Sequence, residues 1–102
     1  MSLGNFKKFN DGKPRFSLLS IEWIKELVEV LEIGASKYGD TNYIKGSQDV
    51  YFDSLMRHVI ALRLGEKTDK ETGKSHLVHA ACNLMFMYVL QGAKENEQNG
   101  KV

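Results

Sequence analysis

Three histidines and a short set of carboxylates are the residues of this 102-residue chain best suited to chemistry. His76 and His79 stand in His-x-x-His spacing, and Asn83 follows one turn later. From Leu77 to Leu90 every other residue is apolar or small. At about 100° per residue, His76, His79 and Asn83 fall within one narrow helical stripe that Phe86 and Leu90 continue. An unpaired buried polar group costs roughly 1–3 kcal/mol, so each of the three must find a partner. The third histidine, His58, lies among leucines in an earlier helical segment. A charged turn containing Glu66, Asp69 and Glu71 connects the two segments. A connection this short makes the helices antiparallel neighbours. Glu66 lies about 12 Å along the axis from His58, and the stripe from His76 to Asn83 runs about 10 Å in reverse. Glu66 should therefore face His76, with His58 near the level of His79 and Asn83.

Imidazoles and carboxylates in one seam suit metal-assisted attack of water on a phosphate. Carboxylates alone favour magnesium, whereas histidines shift the preference toward manganese, cobalt or zinc. The stretch from 37 to 50 supplies Lys37, Tyr38, Asn42, Tyr43 and Lys45, a set of cations, stacking faces and an amide that fits a nucleotide. Lys13 and Arg15 add cations on a basic N-terminal arm. Each feature has a plain structural alternative: His-x-x-His also occurs as a core pair, Asp53 and Arg57 at i,i+4 make a surface ion pair, and Cys82 is a small buried hydrophobe. Glu29 and Glu32 carry the Glu-x-x-Glu spacing of many magnesium sites. The helical wheel turns Glu29 away from the apolar face and leaves Glu32 at its margin.

The elements that must hold these residues are helices. Ser20 is an N-cap, Glu22 an acid in the first turn, and Ile24, Leu27, Val28, Leu31 and Ala35 form the apolar stripe of a helix ending near Ser36. Residues 37–50 read as a loop. A second helix runs from about Tyr51 to Gly65 with apolar residues on two sides. Ser75 caps the central helix, which is apolar all round and is expected to be enclosed on every side. The fold class is all-α, a small helical bundle completed by oligomerisation. The domain covers 1–92, with 1–19 an extended arm that Phe16, Leu18 and Leu19 would dock, and 93–102 a polar disordered tail.

Composition narrows the function further. A net charge of +1 argues against a protein that coats nucleic acid. The longest apolar run, Leu84–Leu90, is far short of the ~20 residues that span a bilayer. A lone cysteine suits a reducing cytosol, so a cytoplasmic location is expected. A chain this short has a thin core, and a homo-oligomer is expected to cover the remaining apolar surface.

Several motifs in order, Lys13-Pro14-Arg15 through Leu19, Gly34-Ala35-Ser36-Lys37-Tyr38-Gly39 with Asn42-Tyr43, Asp53 to Arg57-His58, Gly65-Glu66 with Asp69, Glu71 and Gly73, and His76-Leu77-Val78-His79 to Asn83, resemble the phage and bacterial domain named for dATP/dGTP diphosphohydrolase. That family is similar to the MazG-like all-α nucleoside triphosphate pyrophosphohydrolases. The resemblance implies a bundle assembled as a dimer or tetramer that cuts a purine deoxynucleoside triphosphate to monophosphate and pyrophosphate. In this reading Asp53, Glu66, His76, His79 and Glu32 are metal candidates, and His58, His79 and Asn83 are catalytic candidates. Lys13, Arg15, Lys37 and Arg57 would hold phosphates, while Tyr38 and Asn42 would face the base. The signature Glu-x-x-Glu followed by Glu-x-x-Asp on two core helices is only partly matched. Glu29 to Glu32 and Glu66 to Asp69 copy the letters, but the second pair falls in a turn, and histidines replace the expected acids on the central helix. Two alternatives follow: a non-catalytic helical binding or regulatory module, and a metal-dependent phosphohydrolase releasing phosphate or triphosphate.

Overall fold

Helix α1 (Ile21–Tyr38) begins where Ser20 turns extended backbone inward and accepts the Trp23 N–H on Oγ at 3.2 Å. In the computed structural model, which describes residues 7–8 and 11–100 and side chains as far as 93, two further helices follow. Helix α2 (Gln48–Arg63) is capped in the same way, Ser47 Oγ accepting from Val50 N–H at 3.3 Å. Helix α3 (His76–Gly100) starts at Ser75, whose Oγ accepts the Leu77 N–H at 3.1 Å. Short 3-10 turns occupy Phe16–Leu18 and Asn42–Lys45. The all-α expectation holds, and no strand occurs among the described residues beyond an isolated antiparallel bridge between Thr68 and Ser75.

The join between α2 and α3 is tightly built. Gly65 takes φ +101°, a conformation that costs an L side chain about 1–2 kcal/mol. Glu66 N–H then reaches Ala61 O and Gly65 N–H reaches Leu62 O, both at 3.0 Å. This is the Schellman arrangement, which satisfies the last carbonyls of a helix. The chain returns through Asp69 N–H to Lys74 O at 2.8 Å and His76 N–H to Lys67 O at 3.1 Å. The two helices are antiparallel as expected: Gln48 pairs with Met87, Ser54 with Asn83 and His58 with His76.

Helix α3 packs against both others. Val30, Val78 and Cys82 form the core, with Leu27, Leu31 and Phe86 against them. The Cys82 thiol donates to Leu27 O at 3.7 Å, and burial pushes its pKa up to about 11. It behaves as the expected inert hydrophobe.

Four expectations are corrected. The central helix is not enclosed within one chain, because Leu77, Leu84, Met85 and Tyr88 are exposed. The arm does not dock within the chain: Phe16 is 73% and Leu18 72% exposed, and the neighbouring Ile21 and Trp23 are exposed as well. The stretch 37–50 is mostly helical, with Lys37 and Tyr38 closing α1 and Gln48 opening α2. The backbone of α3 continues to Gly100, past the Gly92 boundary drawn for the domain. Residues 1–6, 9–10 and 101–102 of the expected arm and tail lie outside the described residues.

Candidate active site

A cleft of about 1140 Å³ opens between α1 and α2, with His76, His79, Asn83 and Phe86 of α3 as its floor. The three histidines meet there. His58 Nδ1 and His76 Nδ1 are 2.8 Å apart, and the His58 ring lies flat on His79, centroids 4.5 Å apart and planes 4° from parallel. His76, only 3% exposed, turns Nε2 to Glu66 Oε1 at 2.8 Å. An ionised carboxylate only accepts, so this Nε2 carries a proton. With the rings neutral, His76 Nδ1 accepts and His58 donates from its own Nδ1. His58 Nε2 then keeps its lone pair.

The second half of the cluster comes from the turn before α3. Asp69 Oδ2 accepts from both the backbone N–H and the hydroxyl of Thr72, at 3.0 and 3.1 Å. Thr72 Oγ1 also lies 2.7 Å from His79 Nε2. Burial alone would raise the Asp69 carboxyl, but the two Thr72 hydrogen bonds and the neighbouring His79 hold it below its ordinary value. Burial lowers the His58 and His79 rings. His79 and His76 add to this effect at His58, while Asp69 opposes it at His79. Burial thus favours the neutral form of both rings, which leaves each one nitrogen lone pair.

Asn83, 6% exposed, donates from Nδ2 to Ser54 Oγ at 3.0 Å and to His79 O at 3.1 Å. It sits one turn beyond His58 rather than level with it, and orders the α2–α3 seam from below. Nearer the mouth, Lys37 reaches Glu71 at 3.0 Å, and this carboxylate raises its pKa. Lys37, Tyr38, Asn42, Lys45 and Arg57 all line the cleft. Tyr43 stacks on Phe86 at 4.7 Å, and Tyr51 tilts against the same ring at 5.0 Å while donating to Tyr43 O. Aromatic rings and cations thus line the same cleft.

The structure brings His58, Glu66, His76 and His79 together as the spacing predicted, while Asn83 lies one turn away against Ser54. Glu32 lines the cleft from α1 but remains exposed, whereas Asp53 is exposed on α2 and does not line the cleft. Its alternation with His58 on the helical wheel is the reason. Lys13 and Arg15 are exposed and likewise do not line their own chain's cleft. Glu29 bonds Lys74 at 3.0 Å, which lowers its pKa. Glu29 is thus a tie between α1 and the turn. Two residues given no site role in the sequence, Asp69 at the mouth of the seam and Thr72, complete the site. Asp69 lies with His58 and His76 so that one donor atom from each falls within 4.8 Å of the others. Thr72 bridges Asp69 and His79. The Asp-Lys-Glu-Thr-Gly order of 69–73 was the available signal, since an aspartate followed by a glycine marks a turn folded on its own carboxylate.

Comparison with known proteins adds an independent line. Residues 4–99 match the family described as dATP/dGTP diphosphohydrolase, N-terminal. A Salmonella phage PMBT28 protein named dATP/dGTP diphosphohydrolase is 39% identical over 83 residues, which cover 81% of this chain and 29% of that protein. The chain thus spans under a third of the length of this relative. No solved structure matches.

Proposed function

We propose that this chain, which belongs to the dATP/dGTP diphosphohydrolase N-terminal family, hydrolyses purine deoxynucleoside triphosphates to monophosphate and pyrophosphate in the cleft over its histidine cluster. The observation that carries this reading is the meeting, in one cleft, of the His58–His76–Glu66 and His79–Thr72–Asp69 chains with Lys37, Lys45 and Arg57. The cations suit a triphosphate, and lysine and arginine hold its oxygens by charge-assisted hydrogen bonds. Glu71 occupies Lys37 at 3.0 Å, and a phosphate group would compete for that ammonium. Tyr38 and Asn42, both exposed on the lining of the cleft, would meet the base.

A divalent metal fits the donor set. His58, Asp69 and His76 could hold it once His58 gives up its hydrogen bond to His76 Nδ1, and two imidazoles with one carboxylate favour zinc, cobalt or manganese over magnesium. Such an ion supplies Lewis-acid stabilisation of phosphate charge and acidifies water. The protein's own part is to keep His58 and His79 neutral by burial and to clamp the triphosphate in register.

A homo-oligomer belongs to the same proposal. The radius of gyration is 18.3 Å, against about 13 Å for a compact chain of about 100 residues. A second copy seated on the exposed apolar faces would cover them, and its arm could bring Lys13 and Arg15 to a cleft they do not reach in their own chain.

The test is a panel of the four deoxynucleoside triphosphates with magnesium, manganese, cobalt or zinc, with products separated by ion exchange. The expected result is dAMP and dGMP with pyrophosphate. Release of orthophosphate or whole triphosphate instead would replace this reading by a different phosphohydrolase, and no turnover with any metal would favour a binding module.

A further inference from the structure

We propose that Thr72 is a positioning residue that locks His79 in its Nε2–H tautomer, leaving Nδ1 as the nitrogen that takes the proton of the attacking water. This rests on the hydrolytic reading of the cleft given above. The tautomer follows from counting protons. A threonine hydroxyl has one proton to give and two lone pairs to receive. Thr72 Oγ1 has three neighbours in hydrogen-bond reach: Lys74 N–H at 3.2 Å, Asp69 Oδ2 at 3.1 Å and His79 Nε2 at 2.7 Å. The amide can only donate, so one lone pair is taken. The carboxylate can only accept, so the proton goes to Asp69. If the proton went to His79 instead, a hydroxyl lone pair would face a carboxylate oxygen at 3.1 Å with nothing between them. The remaining lone pair therefore receives Nε2–H from His79.

The hydroxyl is itself held in place. Thr72 N–H bonds the same Asp69 oxygen at 3.0 Å, and Gly73, at φ +72°, turns its N–H back to Asp69 O at 2.7 Å. The imidazole cannot swing freely, because its face lies against His58. Orientation and tautomer are thus set by two different contacts. During hydrolysis the water oxygen bonds to phosphorus as its proton passes to Nδ1. The bridging P–O bond breaks, its electron pair leaving on the departing oxygen. The resulting imidazolium is stabilised through Thr72 by the Asp69 carboxylate, 3.9 Å from Nε2. A partner that orients a metal-ligating histidine is worth about 10–100-fold in activity, and an orienting group behind a base is expected to matter to a similar degree.

The experiment uses histidine labelled with 15N and long-range proton–nitrogen spectra of the whole chain at about pH 8, above the ordinary histidine value. His79 signals are assigned by their loss in His79→Gln. Wild type is expected to show a protonated Nε2 and a bare Nδ1 at His79. Thr72→Val should give a mixture of tautomers, with kcat falling about 10–100-fold and KM little changed, whereas Thr72→Ser should restore both. A bare Nε2 in the wild type overturns the proposal, as does a Thr72→Val protein with unaltered spectrum or unaltered kcat. If Thr72→Val does not fold, Thr72→Ala with the serine rescue is read in the same way. The spectrum needs no substrate: a wild type with the expected tautomer but no turnover would overturn the hydrolytic reading and the role of Nδ1 in it, while the lock itself stood.

Discussion

At the residue scale, the cluster divides into what spacing can and cannot disclose. His76, His79 and Asn83 lie on one helix, where a period of 3.6 fixes their common face, and the short turn fixes His58 and Glu66 opposite them. Asp69 and Thr72 act through a turn whose shape depends on hydrogen bonds between its own side chains and backbone, and no periodicity reports that. The two classes give different predictions. His79→Ala is expected to abolish turnover while lowering stability by about 1–3 kcal/mol, and parallel melting and product assays decide whether the ring is catalytic or merely a core residue. Glu29→Gln should leave turnover intact, because Glu29 is engaged by Lys74 and points out of the histidine cluster. A well-folded but inactive Glu29→Gln would move the metal to α1. The lowered pKa values of His58 and His79 also predict how stability varies with pH. The folded state binds these protons less readily than the unfolded chain, whose histidines titrate near 6.5. Their contribution is complete above that value and is lost as pH falls below it. Urea midpoints should drop from pH 7.5 toward 5.5, and His58→Phe or His79→Phe should flatten that slope.

At the element scale, the starts of α1 and α3 were legible because Ser20 and Ser75 mark them, whereas Ser47, which caps α2 in the same way, lay inside the stretch read as a loop. Ser20, Ser47 and Ser75 each accept a backbone N–H of the first turn. The stretch from Lys37 to Val50 misled because glycine, asparagine and aspartate are frequent in loops. Here they only punctuate a 3-10 turn between two helices that reach further than their apolar stripes. The exit of α2 is the element on which the site depends most. Its Schellman closure at Gly65 delivers Glu66 to His76, so turn and cluster are coupled. Gly65→Ala should destabilise the fold by about 1–2 kcal/mol through its positive φ, and should also weaken turnover by shifting Glu66. Glu66→Gln leaves the turn intact and should lower turnover without a comparable loss of stability. Melting and kinetic measurements on both variants separate the two contributions.

At the scale of the whole molecule, the apolar pattern was read correctly as a helical bundle, and one chain does not enclose its central helix on every side. An all-round apolar helix implies complete enclosure only if the neighbours come from the same chain. Here α3 is enclosed on the side facing α1 and α2, and Leu77, Leu84 and Tyr88 remain uncovered. The accessible surface is 8479 Å², against about 5800 Å² for a compact monomer of 11.6 kDa. Hydrophobic burial contributes roughly 25 cal/mol per Å² of apolar surface, so covering the exposed Leu77, Leu84 and Tyr88 would add stabilisation that one chain leaves unused. Association of copies would cover these faces, and it would also cover the second apolar side that the periodicity of α2 presents, where Ile60 is exposed. Light scattering at micromolar concentration is expected to give a dimer or tetramer. Replacing Leu84 and Tyr88 together by glutamate should shift that assembly toward monomer and lower the melting temperature, since both charges would be buried without partners. If Lys13 and Arg15 reach the cleft of a neighbouring copy, the double variant should also raise KM for the triphosphate, even though neither substituted residue lines a cleft. A monomeric wild type, or a dissociated variant with unchanged KM, would show that each chain binds its nucleotide alone.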